Sequence, residues 1–83
     1  MARFYLDTKI GHALYRDPQG EEHGNAEVAI ASARMDAAQY VADTVARGGA
    51  PDDEERLIRD ESGRIIDSFK LTDALGCLGS KPL

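Results

Sequence analysis

NAEVAIASARMDAAQYVADTVARGG, residues 25–49, holds no Gly or Pro until its last two positions, and this uninterrupted stretch decides the fold. Asn25 can accept a hydrogen bond from an orphan amide of a first helical turn, and Glu27 sits where the helix dipole favours an anion. Gly48-Gly49 suit a left-handed C-terminal cap, with the cation Arg47 just before it. The stretch predicts a helix that begins at about Ala26 and runs for about six turns. At 100° steps, Ala26, Ile30, Ala33, Ala37, Tyr40, Val41 and Thr44 share one arc, while Ser32, Asp36, Gln39, Asp43 and Arg47 form a narrow polar one. A second apolar arc holds Val28, Ala31, Met35, Ala38, Ala42, Val45 and Ala46, parted from the first only by Glu27 and Arg34. A helix lying on one sheet face needs a single apolar arc. The second is therefore either solvated alanine, which costs a helix little, or a contact face where small residues admit a close neighbour, most simply a second copy of the chain.

On the N-terminal side, Phe4, Tyr5 and Leu6 read as a short strand entering a hairpin loop at Lys9-Ile10-Gly11, with residues 13–17 returning. Asp17-Pro18-Gln19-Gly20 carries the residues of a type I turn. After the helix, residues 50–53 form a polar connector and Arg56-Leu57-Ile58-Arg59-Asp60 returns to strand composition. Asp60-Glu61-Ser62-Gly63 is a second turn, residues 65–71 complete a hairpin, and Thr72 or Asp73 caps a short turn through Leu75. The expected fold is one α+β domain over residues 1–75, ordered β-β-α-β-β, with an antiparallel sheet packed on one long helix and a flexible tail at 76–83.

Residues 14–20 and 57–63 share Leu, Arg, Asp and Gly in register. Such a repeat is explained by two strands that end in the same turn, Asp17 and Asp60 bonding turn amides and Gly20 and Gly63 supplying a positive φ, without any shared chemistry. Asp67 fits less well, since alternation places it on the face of Ile65, Phe69 and Leu71. Either a bulge redirects it or its strand is an edge, where an inward charge discourages aggregation.

A chain of 83 residues and 9.0 kDa is one small domain, and because 12 of its apolar residues are Ala its core is thin, so self-association would help it. A net charge of -5 and a pI near 4.8 oppose binding to nucleic acid over a broad surface, and the ten basic residues are scattered. Cys77, the one cysteine, allows neither an intrachain disulfide nor a thiolate metal cluster and fits a reducing cytoplasm. The longest apolar run, residues 28–31, is too short for a membrane span or a signal-peptide core.

Candidate chemistry is sparse. His12, His23, Glu21, Glu22 and Asp7 match no established metal-ligand spacing, so no metal is expected. Ser32, Ser62 and Ser68 lie outside any nucleophile-elbow pattern, and Cys77 sits in a Gly-rich tail. The glycines build no phosphate-binding loop, so no nucleotide cofactor is expected either. The carboxylates Asp7, Asp17, Asp60 and Asp67 read as turn caps or strand-edge charges rather than as an acid and base pair. The expectation is a protein without catalytic residues.

Taken together, Arg3-Phe4-Tyr5-Leu6, Asp17-x-x-Gly20, the Ala-rich helix from Asn25, and Leu57-Ile58-Arg59-Asp60-x-x-Gly63-Arg64-Ile65-Ile66 resemble a family of short proteins of unknown function from soil and plant-associated alphaproteobacteria. Its members open with an aromatic strand and repeat a strand-turn Asp-x-x-Gly; this chain departs from them at Glu22-His23-Gly24-Asn25, where they carry a Leu-Pro-Asp-like lead into the helix. The resemblance implies a hairpin, helix, hairpin layout and a bacterial cytoplasmic origin, with no catalytic residue carried over. The layout is also similar to small acidic antitoxins with a degraded nuclease-like fold, an analogy that implies a small basic protein partner. The functional expectation is a non-catalytic interaction module acting as a homodimer through Val28, Ala31, Met35, Ala38, Ala42 and Val45, with an acidic antitoxin-like regulator as the alternative.

Overall fold

A computed structural model describes residues 1–51 and 53–73. Alternation of Phe4 and Leu6 with Tyr5 and Asp7 produces the central strand β1, Ala2–Ile10, nine residues long. It is longer than the sequence suggests, because pairing with β4 (Glu54–Arg59) from Tyr5↔Arg59 to Ile10↔Glu54 keeps residues 7–10 in the sheet. The reversal is confined to Gly11-His12, and the returning strand β2 is only Ala13–Tyr15.

Three strands, not two, precede the helix. Glu21–His23 forms β3, so the order is β-β-β-α-β-β, with β5 at Ile65–Lys70 closing the chain of elements. Glu21-Glu22-His23 has no apolar alternation, which is why it reads as a polar cluster; its strand conformation comes from pairing Ala2↔His23 and Phe4↔Glu21. All pairings are antiparallel in the order β2-β1-β4-β5, and β3 takes the N-terminal half of the β1 edge whose C-terminal half holds β2. Residues 16–20 bulge out between them, across from Tyr5, Leu6 and Asp7.

Helix α1, Ala26–Ala46, crosses one face of this sheet. Asn25 caps it, its Oδ1 accepting the Val28 amide at 2.9 Å, and after Arg47 the Gly48 and Gly49 amides bond back to Val45 and Thr44. The residues turned inward are Ala29, Ala33, Ala37 and Val41, against Phe4, Ile58, Phe69 and Leu71. The inward arc thus includes Ala29 and leaves Tyr40 and Ala26 exposed, a rotation from the expected arc. Alanine lets the helix lie close while the large core residues come mostly from the sheet, and Ile58, Leu71 and Val41 are the largest fully buried side chains.

The register of β4 on β5 shifts between Ile58↔Asp67 and Arg59↔Ile65. Ile66 is the extra residue; it turns to the core, and Ile65 is sent to the other face and exposed. The bulge therefore redirects Ile65, not Asp67. Asp67 points inward from the terminal strand of the described sheet and receives Arg34 Nε and Nη2 at 3.1 and 2.9 Å. Residues 71–73 make one 3-10 turn; Leu75, Cys77 and the tail 76–83 lie outside the described residues. Among the described residues no helix is long and apolar enough to cross a membrane.

Candidate functional site

The bulged loop 16–20 is stitched to β1 by the Asp17 carboxylate, by the Asp17 amide on Asp7, and by Arg3 Nη1, which donates to the Gln19 carbonyl at 2.8 Å. Asp17 Oδ1 accepts the amides of Gln19 and Gly20 at 3.1 and 3.0 Å, closing the turn, while Oδ2 accepts the Leu6 amide at 3.2 Å in place of a strand partner. Burial opposes ionisation of Asp17, but the amides of Gly20, Leu6 and Gln19, with Arg59 nearby, outweigh it and hold its pKa below the ordinary carboxylate value. Gly20 has φ 70°, and a Cβ there would lie 2.7 Å from the Phe4 carbonyl oxygen and 2.9 Å from the Tyr5 ring.

Beside this loop lies an ion pair that the sequence does not signal. On the sheet face away from α1, Asp7 is 3% exposed and takes Arg59 Nε at 2.6 Å and Nη2 at 3.1 Å, plus the Asp17 amide at 3.0 Å. The Arg59 guanidinium also stacks 4.8 Å from the Tyr5 ring centroid. Burial disfavours the Asp7 anion, yet Arg59, the Asp17 amide and Arg16 outweigh it and keep its pKa low; the same contact raises that of Arg59. Asp7 is therefore neither a turn cap nor a strand-edge charge. Its partner is 52 residues away, so only strand pairing could reveal it.

On the other face, loop 16–20, β3 and the first half of α1 enclose a cleft of about 310 Å³. Ala29 and Ala33 leave unfilled volume against Phe4, Leu6 and Ile58, which form its apolar floor. Its polar lining includes Asp17, Gln19, Glu21, His23, Ser32 and Asp36, with no Lys or Arg among the described residues. His23 is half-buried against the Phe4 ring and its Nε2 lies 3.2 Å from Glu21 Oε1. Glu22 is paired with Arg3 at 3.1 Å, whereas Asp36 has no hydrogen-bond or ion-pair partner among the described residues. The arrangement sets carboxylates at the rim and apolar side chains on the floor; beyond the His23–Glu21 contact, no hydrogen bond joins its imidazole, hydroxyl and carboxylates among the described residues.

The proposed contact residues divide. Val28, Ala31, Met35 and Val45 are exposed, Met35 by 61%, and Ala42 is half-buried on the same side. Ala38 is 0% exposed and lies inside the chain, which corrects its assignment to the outer face. These positions are spaced alternately by three and four residues, and on a straight helix such a row drifts about 20° per heptad. At 100° steps Ala38 falls between Ala31 and Val45, which are both exposed, so that drift does not account for its burial. Asp60 and Gly63 form the second turn as expected: Asp60 Oδ1 accepts the Ser62 and Arg64 amides at 3.0 Å each, and Gly63 has φ 89°. His12 is exposed in the β1–β2 turn, apart from His23.

Residues 3–72 match a family described as a domain of unknown function, DUF6894. The chain belongs to this family. The match spans β1 to the turn after β5, so the loop network, the cleft and the outer row of α1 all fall within the family domain. Comparisons with curated proteins and with solved structures give no match.

Proposed function

We propose that the protein is a non-catalytic interaction module of the bacterial cytoplasm that works as a homodimer through the outer row of α1. The observation that carries this reading is that Val28, Ala31 and Met35 stand exposed in one row on a helix whose opposite side is already buried on the sheet. Ala31 between the two larger residues lets a second helix approach closely, and a two-fold axis near Ala31 sets Val28 of one copy against Met35 of the other. The thin core gains from the added burial. One helical row is a small interface, so the dimer is weak, with a Kd of about 10 µM.

Sedimentation at about 100 µM tests this by mass action. The wild type and Ile65→Glu, which alters an exposed apolar residue on another face, should sediment as dimers, and Met35→Glu as a folded monomer. A monomeric wild type at that concentration overturns the reading. Five negative charges per chain repel one another, so the dimer should tighten as salt rises.

A further inference from the structure

The cleft between α1 and β3 combines an apolar floor with a rim of one charge sign. Asp17, Glu21 and Asp36 line it, and among the described residues no Lys or Arg does. Asp17 is committed to three backbone amides, which take three of its about four lone-pair sites. Glu21 has only the His23 imidazole as partner, and Asp36 has none among the described residues. Two rim carboxylates are thus available to a cation from outside.

The occupant that suits both parts of the cleft is a long side chain with an apolar stem and a charged end. Lysine and arginine bury their methylenes along apolar surface while the head group stays hydrated at the edge. We propose that the cleft receives a Lys or Arg side chain of a basic protein segment, its stem on Phe4, Ile58 and Ala33 and its charge between Asp36 and Glu21. At about 310 Å³ the cleft lies near the lower bound of small-ligand sites, enough for one such side chain and too small for a dinucleotide. A protein segment is favoured over a free amine because the acidic surroundings extend past the rim. The chain carries a net -5, so a ligand with several cations gains from this wider field as well as from the two rim carboxylates. The site is complete within one chain and stands independently of self-association.

The probe is a fluorescein-labelled heptapeptide, Ala-Lys-Ala-Arg-Ala-Lys-Ala, followed by anisotropy at low salt, with amide chemical shifts to locate it. Wild type should bind, shift the amides of Phe4, Ala29 and Ala33, and lose affinity as salt rises. The double variant Glu21→Gln/Asp36→Asn alters exposed side chains and should keep its melting temperature while binding weakens by about five- to tenfold. Asp43→Asn/Glu61→Gln removes the same charge elsewhere and should change binding less than about twofold. A peptide with diaminobutyrate in place of Lys and Arg, compared at slightly acidic pH, keeps the charges but shortens the stems and should bind more weakly. Equal weakening by both double variants, equal binding of the short-stemmed peptide, or no binding by the wild type overturns the proposal. Putrescine competing at the same concentration as the peptide would assign the site to a free diamine instead.

Discussion

The turns at 17–20 and 60–63 share a local design and differ in what lies beneath them. In each, an Asp Oδ1 gathers the amides that follow and a Gly takes positive φ. The second is an ordinary hairpin turn: a Cβ on Gly63 would meet nothing within 4 Å, and the hydrogen bonds that Asp60 accepts are open to solvent. The first is fastened to the sheet, with Asp17 Oδ2 on the Leu6 amide, the Asp17 amide on Asp7, and Gly20 against Phe4 and Tyr5. The same four-residue signal closes a hairpin in one place and holds one wall of a cleft in the other. What separates them is tertiary contact, which no four-residue window contains.

Exchanging the two glycines separates these roles most sharply. Gly63→Ala meets only the cost of a left-handed φ, about 1 kcal/mol. Gly20→Ala adds a collision with the Phe4 carbonyl, a backbone atom that moves only with β1, and should cost about 2 to 4 kcal/mol. In a domain of this size that is a fall in Tm of roughly 10 °C or more against about 5 °C. Thermal melts of the two variants check it; equal losses would mean that loop 16–20 is not seated on β1.

Next in size is the pair of aspartates. Asp17→Ala leaves the Leu6, Gln19 and Gly20 amides without their acceptor and should cost about 2 to 3 kcal/mol in chemical denaturation. Asp60→Ala frees amides that water reaches, so its loss should be clearly smaller. Asp17→Asn, which keeps one carbonyl acceptor, should fall between the wild type and Asp17→Ala. A larger loss at Asp60 than at Asp17 reverses the comparison.

These contrasts also mark where sequence reading stops. The ends of α1 were legible because Asn25 and Gly48 act on neighbours within four residues. Both Asp-x-x-Gly turns were legible for the same reason. The polar strand β3 was not, because its conformation is imposed by residues 2–4 of β1. The bulge at Ile66 and the Asp7–Arg59 pair depend on register between strands distant in sequence. Ala38 reads as part of the outer row from its spacing to Ala31 and Val45, and its burial comes from tertiary packing that the spacing does not contain. The cleft lies further still from sequence, since it is the volume that Ala29 and Ala33 leave empty opposite Phe4 and Ile58.

The smallest expected effect comes from pH. Asp17 and Asp7 have folded-state pKa values below the ordinary carboxylate value, where burial is outweighed by amides at Asp17 and by Arg59 and the Asp17 amide at Asp7. In the unfolded chain both return to about 3.9, so as pH falls the unfolded state takes up protons first. Their contribution to stability is thus fully present above about pH 5 and is lost as pH falls through 4 and below. Asp17→Asn removes one of these groups, so its cost relative to the wild type should shrink between pH 7 and pH 3, because the wild-type carboxyl is then protonated mainly in the unfolded chain. Asp60 is also held low, by the Ser62 hydroxyl first and the Arg64 amide next, but it is solvated in both states. The cost of Asp60→Asn starts small and has less to lose. Denaturation of both variants at pH 7 and pH 3 measures the two decrements; a pH-independent cost at Asp17 would show that its carboxylate charge does not hold the loop on β1.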